Sequence, residues 1–159
     1  EEKKSAKVLL SIVLPLYSKR GEIHVPEKSG LNHWNAGGRD RHINEVYIPI
    51  PIWIHRKFPS FFPTNEKSFN LHLPNGKILN AKLCQANDKG LMSNPNKVLG
   101  EWILRDILQL EEGELATYDK LVEIGIDSVA MEKIDDSNYK MDFRGLGTFD
   151  QFEEDQITD

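Results

Sequence analysis

Residues 68–84 read SFNLHLPNGKILNAKLC: alternating apolar and polar runs at 68–73 and 78–84, on either side of Pro74-Asn75-Gly76-Lys77. An Asn-Gly pair between runs of period two is the pattern of a β-hairpin, because these two residues accept the positive φ of a tight turn. A second alternating pair, 128–134 and 139–143, flanks Asp135-Asp136-Ser137-Asn138 and predicts another hairpin. Upstream, 8–16 is β-branched and leucine-rich and reads as a buried strand ending near Pro15. In 45–54, Val46, Ile48, Ile50, Ile52 and Ile54 share one face, while Pro49 and Pro51 demote the run to an edge or bulged strand. FPSFFP, within 55–64, predicts a packed aromatic-proline corner. Helical spacing is confined to two places. One is 98–110, with Leu99, Ile103, Ile107 and Leu110 on a stripe and Asn96 as N-cap; the other is 117–125, between Thr117 and Gly125. Six or seven short strands, two short helices and regular turns predict a mainly β domain, a small open or partly closed barrel. Residues 1–7 are expected to be a flexible segment, 8–144 the domain, and 145–159 an acidic, disordered tail.

A chain of 159 residues is long enough to bury one ordinary core. No apolar run approaches the ~18 residues of a membrane span, so no membrane partner is expected. The single cysteine, Cys84, excludes an intramolecular disulfide framework and fits a reducing compartment. The start, Glu-Glu-Lys-Lys, points to a fragment of a longer protein or a processed chain. The net charge of −5 is unevenly placed: +7 through Arg105 and −12 from Asp106 onward. Such asymmetry suggests a surface that faces a polyanion beside an acidic remainder.

Within the basic portion lie two polar segments, 34–44 and 85–96. The first belongs to SGLNHWNAGGRDRHINEVYIPIP (29–51), a glycine-broken loop running into the alternating stretch. Loops rich in Asn, Arg, His and Gly bury too little to fold on their own account, and their donors and acceptors suit base edges and phosphates. In an extended arm Arg39 and Arg41 point the same way, with Asp40 opposite. A guanidinium matches guanine O6 and N7, and Asp40 is placed to brace an arginine or accept from cytosine. Asn35, His42, Asn44, Gln85, Asn87, Ser93 and Asn94 offer further hydrogen bonds. Lys19, Arg20, Lys28, Lys89 and Lys97 are candidates for phosphate, and Trp34 for the base of the arm.

Catalytic readings are weaker. His55-Arg56-Lys57 has the His-x-Lys core of phospholipase-D-type phosphodiesterases, but no Asp follows and no second copy exists. Asp127, Glu132 and Lys133 are superficially like a metal-dependent nuclease centre, yet paired surface charges on a hairpin explain them as well. There is no GxSxG, P-loop or HExxH. No cofactor is expected. A protein- or carbohydrate-binding barrel is a further alternative, with Trp34, Trp53 and FPSFFP as an aromatic platform.

The strings SGLN-x-W…GRDRHINEVYIPIP, FFP…F-L-LPNGK and N-x-VLGEWILRD-L-L together resemble the C-terminal domain of NgoFVII-type restriction endonucleases, over roughly residues 8–143. The resemblance implies a B3-like fold, a seven-stranded open pseudobarrel with two short helices. It grips duplex DNA like a wrench through two arms in the major groove, here 34–44 and 85–94. It also implies that a phospholipase-D-like nuclease domain is covalently linked in the full-length protein and absent here. This chain alone is then non-catalytic, and the parent is a type II site-specific deoxyribonuclease of a restriction-modification system in the bacterial cytoplasm.

Overall fold

A computed structural model of the protein describes residues 10–64 and 67–157. Seven strands form one mixed sheet: β1 Ser11–Pro15, β2 Ile48–Pro49, β3 Phe69–His72, β4 Ile78–Cys84, β5 Gly90–Ser93, β6 Ile126–Asp135 and β7 Asn138–Gly145. Their order is β1-β6-β7-β3-β4-β5-β2. All pairs are antiparallel except β3 with β7, where Leu71 faces Tyr139. The sheet curls into a nearly closed barrel whose end strands, β1 and β2, leave an unsealed seam.

Both predicted hairpins form. Gly76 takes φ +88°, and the Lys77 amide donates to Asn75 Oδ1 at 2.9 Å, so the Asn-Gly pair closes β3 on β4. Asp135 Oδ1 accepts from the Ser137 amide at 2.8 Å and closes β6 on β7. Inward positions of alternating strands, among them Ile12, Leu14, Leu71, Val129, Met131 and Tyr139, are fully or almost fully buried. The aromatic corner packs as expected: Phe61 and Phe62 are buried against Phe69 and Tyr139. Residues 8 and 9 of the first predicted strand, and 1–7, lie outside the described residues.

Four expectations are corrected. The run at 45–54 pairs only at Ile48–Pro49, and α1 (Ile52–Lys57) follows. Pro49 and Pro51 supply no amide to a ladder, Ile50 donates to the Lys89 carbonyl at 2.7 Å, and φ −57° at Pro51 is already set for a helix. The polar stretch 85–96 contains β5, whose alternation over four residues was too short to stand out among polar neighbours. The helix at 98–110 is α2 (Lys97–Gly100) running into a π-helix (Glu101–Ile107), where Leu108 donates to Ile103 five residues back. The wider register buries Trp102, Leu104 and Leu108, while Ile107 is half-buried. Asn96 makes no capping bond; Ser93 Oγ accepts from the Leu99 amide at 2.9 Å instead. α3 (Tyr118–Ile124) is capped by Thr117 and ended by Gly125 at φ +92°, as its sequence predicts.

The fourth correction concerns the tail. Residues expected to be disordered form α4 (Thr148–Ile157). Phe149 is buried against Tyr17 and Trp53, and Phe152 packs on Trp53 and Phe58. Two aromatics at i and i+3 suffice to dock a helix that its acidic composition conceals.

Candidate nucleic-acid interface

The seam opens into a groove of about 850 Å³. Its floor is apolar, from the end of β1 (Pro15, Leu16) and from β2 onward (Pro49, Ile50, Ile52). Two polar segments line it. Lys19, Arg20 and His24 come from the loop after β1; Gln85, Asn87 and Lys89 come from the β4–β5 connection. The structure thus brings together predicted residues from both sides of the chain, Lys19 and Arg20 with Gln85, Asn87 and Lys89.

Each wall is shaped by its own backbone. Ser18 and His24 exchange amide–carbonyl bonds at 2.7 and 3.1 Å, pinching the first loop. The His24 Nδ1–H donates to the Glu22 carbonyl at 2.7 Å. Sequence reading missed His24, because its pairing with Ser18 has no motif. In the other segment Gln85, Asn87 and Asp88 all have positive φ, 70°, 60° and 55°. His55 Nε2–H donates to the Asp88 carbonyl at 2.7 Å and holds that turn. Its place is therefore inside α1, bracing a loop, beside the exposed Arg56 and Lys57. Cys84 lies at the start of this turn, and burial pushes its thiol pKa up to about 11.

Residues 33–45 do not line the groove; they fold around a buried carboxylate. Glu45 is 1% exposed, and Arg39 donates to it twice, at 2.6 and 3.3 Å. Arg41 Nε stands 3.9 Å and His33 Nε2 3.6 Å from the same group. Arg39 and Arg41 do point the same way, toward Glu45. They differ in freedom, though: the Arg39 side chain is 54% exposed and that of Arg41 only 12%. Arg41 also donates to the Ala36 and Gly37 carbonyls at 2.8 and 2.7 Å, which closes the glycine turn. Asp40 is exposed and gives its carbonyl to Arg39.

Several other candidates serve the fold. Asn44 is buried, and its Oδ1 accepts from Arg105 Nε at 2.9 Å. Arg105 also donates to the carbonyls of Leu110 and Glu111, tying the loop to the π-helix. The Asn44 amide donates to His42 Nδ1. Asn35 donates to the Glu27 carbonyl at 3.0 Å. Trp34 is half-buried against the core. Ser93, proposed as a contact from sequence, is 1% exposed; its hydroxyl donates to the Pro95 carbonyl and caps α2, so it faces the interior. Lys28, Asn94 and Lys97 are exposed. Asn32, passed over in the sequence, is fully buried; it exchanges paired 2.8 Å bonds with the Ala116 amide and carbonyl and anchors the arm.

The residues of the rival readings are dispersed. The Asp127 carboxylate accepts from the Gly147 amide, and Lys133 donates to the Ser60 carbonyl. Among the described residues no three His, Cys, Asp or Glu side chains gather as metal ligands. Phe61 and Phe62 are buried, whereas Trp53 is half-buried against Phe149 and Phe152 and lines the groove.

Barrel, seam and polar-walled groove together define a pseudobarrel binding domain. Residues 3–135 match the model of the NgoFVII C-terminal B3-like DNA-binding domain, and the chain belongs to that family. No curated protein matches it. The matched span ends at Asp135, the last residue of β6, so β7 and α4 lie beyond it.

Proposed function

We propose that this chain is the target-recognition domain of a type II restriction endonuclease. It binds double-stranded DNA sequence-specifically and reads base edges in the major groove with two arms. A linked nuclease domain in the full-length protein cleaves, in the bacterial cytoplasm. Family membership supports DNA as the partner, and no described helix is long and apolar enough to cross a membrane. The observation that carries the reading is the groove, whose lining gathers Arg20 and His24 with Gln85, Asn87 and Lys89.

Roles follow from freedom and chemistry. Gln85 and Asn87 carry paired donors and acceptors on an exposed, conformationally fixed turn, suited to adenine edges. Arg39, exposed and oriented by Glu45, is the base-reading arginine of the first arm, and Arg41 is its brace. Arg20, Lys28 and Lys89 contact phosphate. Titrating a selected and a scrambled duplex tests the assignment. Arg39→Ala should collapse the difference while leaving weak, salt-sensitive binding; unchanged selectivity would overturn Arg39 as a reader.

A further inference from the structure

Lys19 stands on the wall of the groove, yet its ammonium is already engaged. It donates to Asp150 Oδ1 at 2.8 Å and to Glu153 Oε1 at 2.7 Å, both from α4. Those hydrogen bonds hold its pKa above the ordinary lysine value, so it is charged at neutral pH. Glu153 and Phe149 of α4 line the same groove as Lys19, Arg20 and Gln85. The helix is fixed there by the buried Phe149, by Phe152 on Trp53 and Phe58, and by Lys57 donating to the Gln156 carbonyl at 3.3 Å. Glu153 is thus held at the groove wall by packing, with Asp150 beside it on Lys19, and a phosphate approaching the groove must compete with both for that ammonium.

We propose that Asp150 and Glu153 form an autoinhibitory contact that withholds Lys19 from DNA phosphates and so weakens binding to every duplex, target and random alike. The inference rests on the groove being the DNA interface. Each phosphate contact strengthens binding to every sequence alike, whereas base contacts strengthen only the right one. Subtracting a phosphate contact therefore lowers the affinity for target and random DNA by the same factor and leaves their ratio to the base contacts.

The test is affinity for a random-sequence duplex across a salt series, for the chain, Lys19→Ala, Asp150→Asn with Glu153→Gln, and all three together. Lys19, Asp150 and Glu153 are all partly exposed, and thermal melting checks that each variant keeps its barrel. The neutralised pair should bind about tenfold tighter at low salt, with a log–log salt slope steeper by roughly one phosphate contact. Its preference for a selected target over random sequence should stay that of the parent chain. Adding Lys19→Ala should remove most of that gain, and should cost the neutralised protein more than it costs the parent chain. A gain that survives Lys19→Ala intact would show a general field effect and overturn the proposal, as would no gain. If no variant binds any duplex at low salt, the reading of the groove itself fails.

Discussion

Arg39 closes on Glu45 through two hydrogen bonds, 2.6 and 3.3 Å, and so turns an acidic residue of the basic arm into its internal anchor. With Arg41 and His33 also facing that carboxylate, the loop is organised around one buried negative charge.

Neutralising this anchor should loosen the arm. Glu45→Gln keeps the shape but leaves the largely buried Arg41 without a counter-charge, and should cost about 1–3 kcal/mol in urea unfolding. Arg41→Ala also releases the Ala36 and Gly37 carbonyls, and belongs in the same range of roughly 1–3 kcal/mol. Arg39→Ala strips the buried Glu45 carboxylate of both its hydrogen bonds and should destabilise the fold comparably, so its loss of selectivity is read at a temperature where the variant is folded. Selectivity lost equally in folded Arg39→Ala and Arg41→Ala variants would contradict the division between reader and brace.

Gly100 is where the arm meets the helical layer. A Cβ there would stand 1.7 Å from the Asn44 carbonyl oxygen, so backbone must move. Gly100→Ala should cost about 3 kcal/mol or more, read as a lowered melting temperature. A variant as stable as the parent would mean that the loop does not rest on the helix.

The His33 imidazole is held below its ordinary value of 6.5, first by burial and then by the Arg41 guanidinium. As pH falls through 6.5 the unfolded chain takes up a proton that the folded chain resists. The folded state therefore loses stability from the ordinary pKa down to the depressed one, and keeps its full advantage above. Unfolding free energy should fall as pH drops below about 6.5, and His33→Gln should flatten part of that slope. An identical slope in the variant would remove His33 from the account.

Much of the barrel was legible because its signals are local. Asn75-Gly76, Asp135-Asp136-Ser137-Asn138, Thr117 and Gly125 each act through their own backbone geometry, and the structure has turns and caps at all of them. Tertiary effects were not legible. Two phenylalanines dock the acidic α4 only because Trp53 and Tyr17 wait for them. The π register after Gly100 appears as an ordinary helical stripe until the core selects Trp102 and Leu104. At the site, composition pointed to both polar segments, but only the second reaches the groove, through Gln85, Asn87 and Lys89; the first folds around Glu45, and Lys19 and Arg20 stand in the groove instead. What composition could not reveal is occupancy: Arg41, Asn44 and Ser93 look free in sequence, but intramolecular partners claim them.

The central claim is that this chain alone selects a DNA sequence, and selection from a pool of random duplexes tests it most directly. One enriched motif should emerge, bound well above its scrambled counterpart, with an affinity that falls steeply as salt rises. A pool that returns unenriched, with no retention of duplex even at low salt, would contradict the account.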